Sequence, residues 1–536
     1  MRTLVINLTR FGDLLQTQPV FTGLKRRGDT VGLVCLKNFL PAAGLVRHLD
    51  AVFPVPGARI LANLDHAWPL ALGDCLGFVE RTRADFAPDR VINLTSSLSA
   101  RLLARAMSGG TALGFSVDEF GFGTSSTSWA AFLEATSRHR GSSPFNLVDL
   151  FFKAAHLGDA PREFRLAEPA SGDVAHIREL VAQSQADAGP SSRSGLAGLQ
   201  LGASAAARQW PTEFFARTAE SLWERHRLLP VLLGARGEEP LGEVFAAQTR
   251  VPHVNLIGRT ELPQLAAAVS LLDLLVTNDT GTMHLAAGHG VPIMAIFLAT
   301  AQPWDTGPYL PGACCIEPDL PCHPCPFGKV CPIDCACRTH VRPEAVMAYL
   351  DGYLSSRSCV SSSPSGSGGK WPELSGLGVR AWETTCEPEG FLGLRSLSGH
   401  GRGERAVWNA IQRLAWRRFL DGEALQFSGV EADGLSEEFR ARMWNVLSQA
   451  SAFLDVLVKQ AEVLGVAPHQ AMRAKFMTTW QRLQSLFASE PALCALAHLW
   501  LHLSQDEGRN LAHFSAFAVN VSRFVAALSS LLAVQR

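Results

Sequence analysis

Two hydrophobic rhythms divide the chain. In the first part, short apolar runs recur: TLVINL, TVGLVCL, AVFPV and RVINL, then LAGLQLG, LPVLLG, VNLIG, DLLVT and PIMAIF. Segments of helical length separate most of them. Short β-rich runs with few polar positions suit strands covered on both faces. Their alternation with helices predicts parallel sheets. Beyond residue 400 the rhythm changes to helices alone. Phe514, Val521 and Leu528 recur at seven-residue intervals, as do Phe517, Phe524 and Leu531, while His513, Asn520 and Arg523 fall elsewhere. Met443, Leu447, Ala450, Leu454, Leu457 and Ala461 draw a second stripe. These are amphipathic helices of a small bundle.

Polar stretches mark the expected boundaries. Gln183 to Gly198, QSQADAGPSSRSGLAG, reads as a linker between two α/β domains, 1–182 and 199–354. Ser355 to Gly369, SSRSCVSSSPSGSGG, opens a Ser/Gly-rich linker taken as 355–400, ahead of a helical domain at 401–536. The fold class is therefore α/β, two doubly wound domains facing a cleft, with an all-α C-terminal domain.

Three strand-to-helix turns carry the candidate chemistry. VTNDTGTMHLAAGHGVPIMAIF reads as strand, small-residue turn, helix, turn and strand. The chain opens in the same way, TLVINLTRFGDLLQTQPVFTGLKRR. A third turn, LGASAAARQWPTEFF, delivers an Arg and then a Trp-Pro helix start. A helix start points unpaired N–H groups and partial positive charge into its turn, where they can hold a phosphate. An Asp or Thr at such a place also serves as an ordinary N-cap.

In this order the three segments resemble the ADP-heptose:lipopolysaccharide heptosyltransferases, glycosyltransferase family nine, over residues 1 to about 354. The family's opening strand, Gly-Asp and Pro-bearing helix correspond to Gly12, Asp13 and Pro19. Its later Asp-Thr/Ser-Gly-x-x-His corresponds to Asp279, Thr280, Gly281 and His284. The resemblance implies the GT-B architecture, inversion at the anomeric carbon, and an ADP-heptose donor. It does not reach the C-terminal helices.

Transfer from a nucleotide diphosphate sugar needs a base for the acceptor hydroxyl and positive charge for the leaving diphosphate. Asp13, at the end of the first strand, is the candidate base, the role the family assigns to this Asp; the alternative is an N-cap for a helix starting at Leu14. Arg208 is the candidate diphosphate clamp, where the family usually has Lys, and it can bind phosphate oxygens in a fork; the alternative is a solvated loop Arg. Ser204 adds a hydroxyl in the same turn. Thr280 and Gly281 offer backbone N–H groups. By resemblance Asp279 binds the donor sugar, unless it is a turn former. His284, one turn into its helix, suits a brace for the turn better than a catalyst. Trp210 suits packing. The family's ribose ligand points to Glu238, with Glu239 one residue away.

No Asp-x-Asp motif stands at a strand end in this region, so transfer is expected to need no divalent metal and no cofactor. The chain holds 12 Cys, seven of them between Cys314 and Cys337. Cys322, Cys325, Cys331 and Cys335 are the best set for a structural zinc or iron–sulfur site, against unligated thiols. The intervals fit no ferredoxin spacing.

Composition excludes little. A net charge of −1 gives no electrostatic case for nucleic acid. The N-terminus lacks a signal peptide's apolar core, and no uncharged apolar run of ~18 residues predicts a membrane span. A cytoplasmic protein is expected, with possible peripheral contact at the inner face of the membrane. Arg402, Arg405, Arg413, Arg417 and Arg418 could meet anionic lipid, although a solvated face is the simpler reading. The acceptor is expected to be a lipopolysaccharide core or other cell-surface glycan or glycolipid. A protein acceptor chosen by the helical domain is the alternative. A third reading is an inactive binding scaffold; Asp13, Arg208 and Asp279 together argue against it.

Overall fold

The computed structural model describes residues 1–110, 112–137, 142–158, 160–187, 194–360, 369–427, 432–506 and 510–533. The chain forms two compact units, residues 1–116 with 145–399 and residues 117–144 with 400–536.

The first unit holds two sheets. β1 (Arg2–Ile6), β2 (Thr30–Leu36), β3 (Ala51–Val55), β4 (Arg90–Asn93) and β5 (Leu113–Val117) run in the order β3-β2-β1-β4-β5. These pairings are all parallel. A short strand, β6 (Gly123–Ser125), falls in the second unit. The other sheet contains β7 (Gly195–Gln200), β8 (Leu228–Leu233), β9 (Val254–Asn255), β10 (Leu274–Asn278), β11 (Ile293–Ile296), β12 (Cys314–Pro318), β13 (Val379–Cys386) and β14 (Leu392–Ser396). Its order is β14-β13-β12-β11-β10-β7-β8-β9. It is parallel from β9 to β12 and closes with antiparallel β13 and β14. All of β10 is buried, as is β1 after its first residue. These are the two-sided strands that the unbroken apolar runs predict.

In each sheet the winding reverses beside one strand, at β1–β4 and at β7–β10. Such switch points open a crevice at the carboxyl ends of the strands, where ligands bind. All three candidate turns leave a strand at a switch point: β1, β7 and β10. The two doubly wound lobes form the GT-B architecture.

The expected linkers are partly folded. The helix Ser171–Asp187 runs into the first and β7 takes its end, while residues 188–193 lie outside the described residues. The helix Pro343–Val360 crosses the start of the second, and residues 361–368 lie outside the described residues. The remainder, expected as linker to residue 400, belongs to the first unit. Trp371 is buried, stacks on Tyr353 with ring centres 4.2 Å apart, and donates to the Gly312 carbonyl at 2.7 Å. Trp382 of β13 donates to the buried Glu317 carboxylate at 3.0 Å. These aromatic anchors, not the Ser/Gly composition beside them, decide the structure here.

The second unit is mainly helical: Glu404–Asp421, Glu437–Val466, Gln470–Ala488, Cys494–Asp506 and Leu511–Leu532. Met443, Leu447, Ala450, Leu454, Leu457 and Ala461 are all buried, as the stripe predicts. Phe514, Val521, Phe524 and Leu528 are buried, whereas Phe517 and Leu531 are only partly covered. The helix Ser128–Ser137, expected in the N-terminal domain, joins this unit. Phe132 packs against Trp416 at 5.0 Å, and Trp129 donates to Asp421 at 2.7 Å. By length and composition Leu511–Leu532 is apolar enough to cross a membrane, although Arg523 keeps it from being an uncharged run. Its buried row packs against the helix Glu437–Val466.

Candidate active site

The first corner follows β1. The helix Phe11–Leu15 begins three residues earlier than expected, with Arg10 at its N-cap position. Asp13 is therefore the third residue of the helix and not its cap. It is half-buried, while Leu14 and Leu15 anchor the helix in the core.

The second corner follows β10. Thr280 is the N-cap residue of the helix Gly281–His289, and Asp279, buried, stands just before it. The two corners meet. A methyl group on Gly281 would collide with Phe11 Cδ1 and lie 2.7 Å from Phe11 Cε1. One on Gly12 would lie 3.2 Å from His284 Cδ2 and 3.4 Å from Gly281 Cα. Asp13 and Asp279 thus stand on two corners in contact. His284 is buried at this junction, beside Gly12.

The third corner follows β7 and brings Arg208 to Asp279. Arg208 Nη1 lies 3.7 Å from Asp279 Oδ2, and its Nε donates to Thr300 Oγ1 at 3.0 Å. The guanidinium also lies over the Phe327 ring, 5.8 Å from its centre. Arg208 is a held, partly covered cation and not a solvated loop residue. Ser204 is exposed in the same turn. Trp210 packs, as expected: it is fully buried and donates to the Val341 carbonyl at 2.7 Å.

Asn278 ties the second corner to the third. Its Nδ2 donates to the carbonyls of Gln200, Leu201 and Gly202 at 3.4, 3.0 and 3.1 Å. Its Oδ1 accepts from the Trp210 N–H at 3.0 Å. Sequence reasoning passed over Asn278, Thr300, Gln200 and Phe327. Only Asn278 carried a signal, as a polar residue closing an apolar strand beside Asp279.

Glu238 closes the short helical turn Arg236–Glu238 that follows β8. Its Oε2 accepts from the Ala235 N–H at 2.9 Å and from Gln200 Nε2 at 3.3 Å. A side chain on Gly202 would collide with this carboxylate, so the glycine makes room for it. Gln200 also accepts from Thr282 Oγ1 at 2.9 Å, linking Glu238 to the helix after Gly281. Glu239 is exposed and starts the next helix, against Gly258.

The Cys-rich loop borders this site through Phe327. Cys331 Sγ accepts the Cys335 N–H at 3.2 Å, and the N–H groups of Ile333 and Cys335 hold the Cys331 thiol below its usual range. Burial and neighbouring thiols push Cys325 up to about 11. Among the described residues, no group of three or more His, Cys, Asp or Glu side chains is placed to hold a metal ion. Cys322, Cys331, Cys335 and Cys337 nonetheless lie close enough to Cys325 for their charges to oppose its ionisation.

Residues 84–336 match the family model of glycosyltransferase family 9 (heptosyltransferase); Gly12 and Asp13 lie before them. Lipooligosaccharide heptosyltransferase 2 of Campylobacter jejuni subsp. jejuni serotype O:2 is 31% identical over 165 residues, 29% of this chain and 50% of that protein. Lipopolysaccharide heptosyltransferase 2 of Escherichia coli strain K12 is 30% identical over 94 residues, 17% of this chain and 27% of that protein. The chain spans half or less of the length of these curated relatives. The solved E. coli ADP-heptose lps heptosyltransferase II is 18% identical with a TM-score of 0.48, covering 66% of this chain and 99% of that one. Over residues 84–336 this chain is similar to glycosyltransferase family 9 (heptosyltransferase).

Proposed function

We propose that this protein transfers a heptose or related sugar from an ADP-sugar to a lipopolysaccharide-core or other cell-surface glycan, with inversion, on the cytoplasmic side of the membrane. One observation carries the reading: the corner bearing Asp13 touches the corner bearing Asp279, Thr280 and Gly281, and Arg208 is held beside Asp279.

Each part has a physical task. Asp13 takes the proton from the acceptor hydroxyl as it attacks. The N–H groups at the start of the helix Gly281–His289 and the Arg208 guanidinium stabilise the leaving diphosphate. Glu238 accepts the ribose hydroxyls, and Asp279 orients the donor sugar while holding Arg208. With these fixed positive groups, transfer needs no divalent metal.

The test is a thermal-shift screen of ADP-, UDP-, GDP- and CDP-sugars, followed by a transfer assay on a lipopolysaccharide-core acceptor with excess chelator. A ligand bound only by the folded state raises the melting temperature. ADP-heptose is expected to give the largest shift, and transfer to survive the chelator. Preference for another nucleotide would change the donor, and loss of transfer restored by Mg²⁺ would refute the metal-free mechanism.

A further inference from the structure

Two rings and two glycines interlock where the lobes meet. Phe11 of the front lobe, which carries β1 to β5, lies over Gly281 of the rear lobe, which carries β7 to β14, and His284 of the rear lobe lies over Gly12 of the front lobe. Each lobe offers one flat side chain and one bare backbone position. The Phe11 contact is the tighter. A methyl on Gly281 would sit 2.7 Å from Phe11 Cε1 and closer still to Cδ1, whereas one on Gly12 would stay 3.2 Å from His284.

The position of these contacts matters. Phe11, Gly12 and Asp13 occupy three successive places on one short helix, clamped to the front-lobe core by Leu14 and Leu15. Asp279, Thr280 and Gly281 are likewise consecutive, and Asn278 fixes them to the third corner. The gap between Asp13 and the helix start at Gly281 is therefore set where Phe11 meets Gly281.

Resting on the sugar-transfer reading, we infer that Phe11 is a positioning residue: its ring is the spacer that sets the distance from Asp13 to the donor cradle, working through Gly281, with His284 over Gly12 as a second, softer stop. Gly281 is then required because a ring from the other lobe occupies the place of its side chain, and not only because a phosphate approaches its backbone. A misplacement of about 1 Å between reacting groups costs on the order of 100-fold in rate. The spacer therefore acts on kcat.

The experiment is a double-mutant cycle of Phe11→Ala and Gly281→Ala, with Phe11→Tyr and Gly12→Ala beside it. Three quantities are read on each full-length variant: melting temperature, ADP affinity by titration, and kcat for transfer. Gly281→Ala should lower kcat about 100-fold while ADP affinity stays within a few-fold. Phe11→Ala should lower kcat by opening the gap. The double variant should recover much of the loss, because the new methyl fills the space the ring vacates. Phe11→Tyr keeps the ring edge and should turn over as wild type, and Gly12→Ala should be milder than Gly281→Ala. Wild-type kcat in Phe11→Ala would overturn the inference. So would a Gly281→Ala defect lying in ADP affinity and not relieved by Phe11→Ala, which would leave the glycine to the phosphate alone. Additive melting shifts would show that the two residues do not press on each other and would likewise overturn it. If the wild type transferred no sugar from any donor while the melting shifts still coupled, the transfer reading would fail and the contact would stand.

Discussion

Arg208 and Asp279 form a 3.7 Å ion pair between two strand-end turns, with Thr300 accepting from the Nε of the same guanidinium. The carboxylate holds the cation in place before any diphosphate arrives. A charge-assisted hydrogen bond contributes about 1.5–3 kcal/mol, roughly 10- to 150-fold in binding. Arg208→Ala is therefore expected to weaken ADP-sugar binding by at least about 10-fold. Arg208→Lys should recover only part of this, because an ammonium cannot make the fork or reach Thr300 in the same way. Titration calorimetry with ADP and with the intact donor checks both.

Asp13→Asn keeps the shape of the first corner and removes the proposed base. A positioned general base contributes about 100- to 10,000-fold. The loss should fall on kcat, with ADP affinity close to wild type, because the proposed diphosphate cradle belongs to the other lobe. Turnover near wild type in this variant would remove Asp13 from the mechanism. Asp13 lies in the first turn of a helix that it does not cap, so an Asn there should cost little stability.

Asn278 offers a different readout. It is fully buried and its amide makes bonds to three carbonyls and one N–H. Asn278→Leu would strand those backbone groups, and each buried unsatisfied group costs about 1–3 kcal/mol. The expected result is a drop of several kcal/mol, seen as a lower midpoint in urea, together with weaker donor binding as the Arg208 turn loosens. A variant as stable as wild type would mean that the two turns are held by other contacts.

How far the sequence revealed these features follows from their range. Strand-and-helix alternation is local, so both lobes and the three turns were legible from runs such as DLLVT and from Gly-Asp and Asp-Thr-Gly. The buried stripe Met443 to Ala461 was legible for the same reason. The partners of Arg208 were not: Thr300 lies 92 residues away, and nothing in the neighbourhood of either marks the pair. The Gly281–Phe11 contact was hidden likewise, because a glycine in a turn has a sufficient local explanation. The hairpin of β13 and β14 was overlooked because low-complexity residues precede it, although VRAWETTC carries the part-buried alternation of a strand.

That hairpin changes what a truncation can test. Cutting the chain after residue 355 would remove β13 and β14, leaving an edge of β12 unpaired and Glu317 buried without Trp382 and Arg380. This form should be insoluble or melt far below the full chain, whatever the role of the tail. Cutting after Gly399 spares the sheet but uncovers Trp129 and Phe132, which pack on Trp416 and Asp421. It too should aggregate unless the helix Ser128–Ser137 is made polar. Light scattering and soluble yield distinguish the outcomes, and a well-behaved 1–355 fragment would contradict the structural role of the hairpin.

His289 closes the helix that starts at Gly281, and burial lowers its pKa below 6.5, with Glu168 opposing the shift. The sign follows. The unfolded chain binds a proton at His289 more readily than the folded one, so the folded protein loses stability as pH falls below 6.5 toward the lowered value. Above 6.5 the group is neutral in both states and has no effect. The slope is at most about 1.4 kcal/mol per pH unit from this one site. His289→Gln should therefore flatten the acid side of the stability curve between pH 6.5 and 5, measured by urea unfolding, while leaving its shape above pH 7 unchanged. If the slope below pH 6.5 were the same in wild type and variant, another buried group would have to account for it.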